Sequence, residues 1–215
     1  MTILALEFST PRRSVAVLHR GGAAETVETG GRETNAFGLM ERALTEASLE
    51  RQQIEVIAVG LGPGSYTGIR VALSIAQGWQ LARGVRLLGV NSAECLAAQA
   101  QAEKIFGRVN VVIDAQRNEF YRATYEISPE GWQEIEPLRI TALARISSNV
   151  VANEIWIGPE VTRWFPKGKI LFPSALILGR LVGERSDFVS GDKLAPIYLR
   201  PVNFIKAPSP NPITF

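Results

Sequence analysis

Two carboxylates and one glycine-rich turn are the residues of this chain whose types and spacing could do chemistry. Gly60-Leu-Gly-Pro-Gly-Ser-Tyr-Thr-Gly-Ile-Arg70 lies between a short apolar run and a long small-residue segment. Gly60, Gly62 and Gly64 free the backbone there, and Ser65 and Thr67 stand where a helix N-cap is expected. Such a junction offers backbone N–H groups beside the positive end of a helix dipole, which suits an anion or a closely packed backbone. Glu7, with Ser9 and Thr10 behind it, closes one apolar run, and Asp114 closes another. Acids at strand ends could hold a metal and its water, with neighbouring hydroxyls on phosphates, or could simply cap turns. Arg70 could reach an anion or pair with Glu7.

Other chemistries are excluded by what the sequence lacks. No Gly-Lys-Ser/Thr follows the glycines as a phosphate-binding P-loop requires, and a dinucleotide-type Gly-x-Gly-x-x-Gly spacing is absent. His19 is the only histidine and Cys95 the only cysteine. A zinc site of His/Cys type cannot be assembled from them, and no Gly-x-Ser-x-Gly elbow supports a Ser-His-Asp triad. His19 reads as an exposed strand-end residue before the Gly21-Gly22 turn. Cys95, in an apolar helical setting, reads as a buried structural thiol.

The elements that must position these groups follow from hydrophobic spacing. Strands are expected at Ile3–Phe8, Ser14–Leu18, Ala23–Thr29, Ile54–Val59 and Arg86–Val90, with helices at Asn35–Ser48, Gly68–Arg83 and Ser92–Lys104. The order restarts with strands at Val109–Asp114, Glu119–Ile127 and Trp132–Ile140, a short helix at Thr141–Val151, a strand at Glu154–Ile157 and a helix at Ala175–Glu184. Two rounds of βββαβα, each opening on a strand that ends in an acid, point to a duplicated α/β fold. The expected division is an N-terminal lobe of residues 1–106, a smaller lobe of residues 107–200 and a loose proline-rich tail of residues 201–215.

The 68–83 helix is apolar almost all round. Gly68, Ala72 and Ala76 form a stripe of small residues, while Ile69, Val71, Leu73, Ile75 and Trp79 occupy the rest. Burial on more than one side means either cover by neighbours within the chain or a seam for a second molecule. The second reading gives an interface of Ile69, Ala72, Leu73, Ala76 and Trp79, shared with Phe37, Met40 and Leu44 of the preceding amphipathic helix.

With 215 residues, 46% of them hydrophobic and 20% charged, the chain has the profile of an ordinary folded protein. Its formal charge of +2 sets up no global attraction to nucleic acid. The lone cysteine fits a reducing cytoplasm, no apolar run approaches a membrane-spanning length, and the first residues show no leader pattern.

In order along nearly the whole chain, Ile3-Leu-Ala-Leu-Glu-Phe-Ser-Thr, Gly62-Pro-Gly-Ser-Tyr-Thr-Gly-Ile-Arg-Val, Asp114-Ala-Gln-Arg-Asn-Glu-Phe-Tyr and Pro196-Ile-Tyr-Leu-Arg resemble the bacterial TsaB (YeaZ) family. The Gly-Pro-Gly-Ser-Tyr-Thr-Gly stretch is the most specific of them. The resemblance implies a duplicated actin-like fold of the ASKHA, ribonuclease H-like type, with βββαβα lobes whose mixed sheets are flanked by helices, related to the glycoproteases of peptidase family M22. It also implies a non-catalytic subunit of the machinery that makes threonylcarbamoyladenosine beside the tRNA anticodon. Such a subunit supports the catalytic TsaD subunit through its N-terminal helices, forms a homodimer through the same surface when alone, and works with a TsaE-like ATPase.

No metal or cofactor of its own is implied, although ATP or ADP at a subunit boundary stays open, and tRNA would be met only indirectly. The catalytic sibling holds its metal with a His-x-x-x-His pair, which a single histidine cannot supply. The chain departs from the family at Glu7-Phe8-Ser9-Thr10, where Asp-Thr-Ser/Ala-Thr is usual, at Thr34-Asn35, where a His-Ser pair is frequent, and at Gln116, where Arg is usual. A nucleotide or anion site would draw on Glu7, Ser9, Thr10, Gly62, Gly64, Ser65, Thr67, Arg70 and Asp114. Two enzyme readings stand beside the subunit reading: an actin-like ATPase or phosphotransferase built on that set, and an M22-type peptidase, which the histidine count disfavours.

Overall fold

A computed structural model describes residues 1–29, 35–146 and 154–200 of the chain. The chain forms two five-stranded mixed sheets of identical topology. The first contains β1 (Ile3–Glu7), β2 (Arg12–His19), β3 (Gly22–Thr29), β4 (Val56–Gly60) and β5 (Arg86–Val90) in the order β3-β2-β1-β4-β5. The second contains β6 (Gly107–Asp114), β7 (Glu119–Ser128), β8 (Gly131–Ala142), β9 (Ile155–Gly158) and β10 (Lys169–Ile170) in the order β8-β7-β6-β9-β10. In each, the first three strands run antiparallel and the last two join parallel to the first. The duplication read from the sequence is present, and the structure completes it with β10, a fifth strand of the second sheet that the spacing did not reveal.

The helices do not repeat in the same way. α1 (Ala36–Glu46) and α2 (Tyr66–Arg83) cover one face of the first sheet, where Leu4, Leu6, Phe8, Val15 and Val17 meet Leu39, Met40, Ala43, Ile69, Ala72 and Ala76. In the second sheet the described residues of the corresponding slots form the 3-10 turns Leu143–Arg145 and Val161–Arg163. The short helix expected over Thr141–Val151 is the first of these turns, and residues 147–153 lie outside the described part.

The remaining two helices are exchanged between the halves. α3 (Ser92–Ala102) follows the first sheet but packs on the second, with Ala93, Leu96, Ala97 and Ala100 against Val109, Val111, Ile113 and Tyr125. α4 (Ala175–Gly183) follows the second sheet but packs on the free face of the first, with Ala175, Leu178 and Val182 against Ile3, Ala5, Ala16, Val56 and Ala58. The chain after α4 stays on the first half: Val189 N donates to Leu87 O, Gln77 Nε2 to Gly191 O and Ile197 N to Leu61 O. A boundary at 106/107 thus separates the sheets but not the packing units, because residues 175–198 complete the first. Both sheets present apolar side chains on the face between the halves, and each inner face takes the helix supplied by the opposite half.

Capping chemistry sets the helix starts. Asn35, Ser65, Asn91 and Ser174 each accept a backbone N–H of the first turn through the side chain, and Gly84 ends α2 in the left-handed conformation, φ 68°. Residues 201–215, expected as a loose tail, lie outside the described part.

Candidate functional site: a helix groove and an interlobe cleft

The glycine-rich turn is built around a backbone contact. Ser65 N donates to Ser9 O at 2.6 Å, and Ser92 N donates to Gly62 O at 2.8 Å. A Cβ on Gly64 would overlap Ser9 O, and one on Gly68 would overlap Phe8 O. Gly64 also sits at φ +150°. The glycines let the start of α2 lie directly on the end of β1, a close approach that a side chain would block. At Ser65 the N–H is already spent on that packing.

Glu7 does not enter a ligand site. Its side chain shares the α4 face of the first sheet with Ile3 and Ala5, and it is fully buried against Gly60, whose Cβ position its carboxylate occupies. Oε1 accepts Ser9 N at 2.8 Å, while Oε2 has no partner among the described residues. Burial holds this carboxyl above its ordinary range, offset in part by the hydrogen bonds from Ser9. Asp114 faces the other way in its own sheet, toward the Val161–Arg163 turn, where Arg163 Nη1 lies 3.1 Å from Oδ2 and Gln116 N donates to Oδ1 at 2.7 Å. The two strand-end acids are therefore equivalent in sequence and not in space. A paired-carboxylate metal site from Glu7 and Asp114 is not formed, and the described residues contain no cluster of three or more His, Cys, Asp or Glu able to hold a metal ion.

An open cleft of about 420 Å³ does lie between the lobes. Of the expected nucleotide-site residues, Ser9, Thr10, Gly64, Ser65 and Asp114 line it; Gly62, Thr67 and Arg70, like Glu7, do not. Sequence reasoning missed Gln116, Tyr121 and Glu160 on its far wall. Glu160 sits just after Gly158-Pro159 at the end of β9, and its carboxyl is pushed up by burial, its Oε2 lacking a partner among the described residues. Gln116, Arg117 and Asn118 are consecutive left-handed residues, φ 64°, 58° and 58°. That conformation costs a non-glycine residue about 1 kcal/mol or more. Arg200 holds the turn by donating to Ala115 O at 2.9 Å and Glu119 Oε2 at 2.7 Å.

A second feature lies along the outer side of α2. Phe37, Tyr66, Thr67, Arg70, Val71, Ser74, Ile75, Gly78 and Trp79 line an apolar groove of about 560 Å³. Phe37 and Tyr66 are 60% and 59% exposed, a large apolar display for so short a stretch. Arg70 leans over the Tyr66 ring at 5.2 Å, and Tyr198 stacks on it from the C-terminal side at 5.8 Å.

This placement corrects the expected interface set. Phe37 and Trp79 stand on the outer face. Met40, Leu44, Ile69, Ala72, Leu73 and Ala76 are buried in the core between α1, α2 and the first sheet. The small-residue stripe admits the helix to its own sheet. Had the stripe been read as the sheet-facing side, the residues opposite it, Tyr66, Arg70, Ser74 and Gly78, would have marked the outer face. Cys95 is buried with its Sγ 3.5 Å from Ser174 O, and burial pushes its thiol pKa well up, as expected of a structural thiol. His19 Nδ1 accepts Gly21 N at 3.1 Å in the expected turn.

Comparison with known proteins places this architecture. Residues 32–200 match the family described as TsaD: tRNA N6-adenosine threonylcarbamoyltransferase. The chain is 32% identical to the tRNA threonylcarbamoyladenosine biosynthesis protein TsaB of Escherichia coli over 93% of its own length and 95% of that protein. Among solved structures, YeaZ from Pseudomonas aeruginosa superposes with a TM-score of 0.78 at 28% identity, covering 92% of this chain and 99% of that one. A P. aeruginosa protein described as similar to peptidase YEAZ superposes with a TM-score of 0.80 at 29% identity, covering 93% and 99%. The fold is a duplicated actin-like α/β fold, and the chain belongs to the TsaB (YeaZ) family, within the wider group that the threonylcarbamoyltransferase match defines.

Proposed function

We propose that this chain takes part in tRNA threonylcarbamoyladenosine biosynthesis as a non-catalytic subunit, and that it docks a TsaD-type subunit on the outer face of α1 and α2. The observation that carries the reading is the groove itself, with Phe37, Tyr66, Val71 and Trp79 presented around a rigid helix. Aromatic anchors at the centre of a contact dominate binding energy, and a helix fixed to a sheet offers them without ordering cost. The buried Glu7, the backbone-filled glycine turn and the single histidine support a chain without its own catalytic centre.

Alone, the chain would use the same groove to form a homodimer. A TsaE-like ATPase would join the larger assembly, tRNA would be met through the partner, and the setting would be the cytoplasm. No helix of the described residues is long and apolar enough to cross a membrane.

Co-purification with the TsaD homologue of the same organism tests the proposal. Complex formation at micromolar concentration is expected, and Trp79→Glu or Phe37→Asp should weaken it by roughly 30-fold, the scale of a hot-spot loss. Absence of a complex with wild-type protein refutes it.

A second reading, nucleotide binding in the interlobe cleft, is favoured by one observation: Ser9, Thr10, Ser65 and Asp114 do converge there. Titration calorimetry with Mg-ATP separates the two, since tight binding with turnover would make the chain an ATPase.

A further inference from the structure

Pro196-Ile-Tyr-Leu-Arg200 passes from one lobe to the other beside the interlobe cleft. Its first anchor is on the first lobe, where Ile197 N donates to Leu61 O at 2.9 Å. Its last is on the second, where Arg200 Nη2 donates to Ala115 O at 2.9 Å and to Glu119 Oε2 at 2.7 Å. Between the two, Tyr198 stacks on Tyr66 with ring centroids 5.8 Å apart. Tyr66 belongs to the first-lobe wall of the cleft and Ala115 to the second-lobe wall.

We propose that residues 196–200 are a strap that locks the two lobes at one separation across the cleft, with Arg200 as the point of release. The strap does not rest on the reading of the α2 groove as a partner surface. Three observations carry it. First, Ile197 and Arg200 are three positions apart in the chain. The main chain between them spans at most about 11 Å, at roughly 3.6 Å per residue. It has no slack to follow an opening of the cleft, so one anchor must break.

Second, the lobes are otherwise joined through α3 and α4 and the residues that start them: Ser174 Oγ donates to Glu25 Oε1 at 2.8 Å, and Ala175 N to Ser14 Oγ at 2.8 Å. Helices packed on opposite sheets permit small sliding and hinge motions, and a tie from wall to wall stops them. Third, the turn that receives Arg200 runs through three left-handed residues, Gln116, Arg117 and Asn118. That conformation is costly without glycine and persists where contacts impose it. Release of Arg200 therefore frees the lobes and relaxes the turn together. The side chains of Arg200 and Glu119 are 34% and 31% exposed, so water can compete for the pair and the lock is reversible.

The full chain carrying spin labels at Thr67→Cys and Lys167→Cys, exposed positions on the two lobes, tests the strap through the distance distribution between them. Cys95 is buried, out of reach of the label. One narrow distance is expected with Arg200 in place. Arg200→Met should widen the distribution at least two-fold or add a longer distance. In the same variant, hydrogen exchange at Ala115 and Glu119, whose amides bond within the turn, should quicken several-fold while β1 and β4 stay unchanged. Glu119→Ala acts on the other side of the contact and should move both readings in the same direction, and the double variant should exceed Arg200→Met in neither. Distributions as narrow in both variants as in the parent overturn the strap, as does a broad distribution in the parent. Faster exchange spread equally over β1 and β4 overturns it too, because it would mean general loosening rather than release of a tie.

Discussion

The two lobes share one strand order and differ in what lies on it. On the face covered by α1 and α2, β1 presents Leu4, Leu6 and Phe8. On the topologically matching face of the second sheet, β6 presents Asn110, Val112 and Asp114. Asn110 is fully buried there, and its Oδ1 accepts Arg122 Nε and Nη2 at 3.0 and 2.8 Å and Thr124 Oγ1 at 3.0 Å, while Nδ2 donates to Glu154 at 3.1 Å. Glu136 gathers Arg108, Arg122 and Arg139 around it. Where β4 leads into an 18-residue helix, β9 leads into a three-residue turn. The duplication therefore preserved the strand order, and among the described residues only the first copy carries α-helices on this face. That helical layer is what presents an outward groove.

That comparison can be broken in several ways. Expression of residues 1–106 alone should fail altogether: without α4, the face formed by Ile3, Ala5, Val56, Ala58, Leu88 and Val90 has no cover, and no cooperative thermal transition is expected by circular dichroism.

Next in size, Ala72→Arg places a charge in a fully buried position between α2 and its sheet and should cost about 4 kcal/mol or more in denaturant unfolding. Ser74→Arg, on the exposed side of the same helix, should cost no more than about 0.5 kcal/mol. Equal losses would mean that the stripe does not face the sheet.

Asn110→Ala should cost about 2–3 kcal/mol by the same measurement, since three donors and one acceptor lose a buried partner at once. A neutral result would show that the second sheet does not depend on its polar network.

The smallest effect is a pH slope. Glu7 binds its proton more tightly folded than unfolded, so stability falls as pH rises from its unfolded value of 4.5 through the raised folded value and then levels. Glu7→Gln removes that titration, and unfolding measured from pH 4.5 to 8 should show a shallower decline than wild type. An unchanged slope would place the charged form in a solvated site.

Much of the fold is legible because alternating and helical apolar spacing survives without context. The predicted strand at Arg86–Val90 has the observed bounds, and Ser65, one of the two hydroxyl residues expected at the start of the second helix, is its N-cap. The failures have one cause. Spacing shows that a helix has an apolar or small-residue face, but not which body meets it. Gly68, Ala72 and Ala76 were compatible with a partner seam and with a sheet, and Glu7 and Asp114 read as a pair because both end strands. The exchange of α3 and α4 leaves no local trace either, since helices that cover their own or the opposite sheet carry the same amphipathic pattern.

By itself the sequence determined most of the strand and helix order, the internal duplication, the family through its ordered motifs, and that one histidine and one cysteine are too few for a zinc site of His/Cys type. Those properties reside in residue type and local spacing. Only the tertiary structure decided that Glu7 is sealed inside a sheet, that the glycine turn is filled by the backbone of β1, that α4 closes the first lobe, and that the open side of α2 is the aromatic one. Each of these depends on which of two faces a side chain meets, and that choice is made by long-range packing.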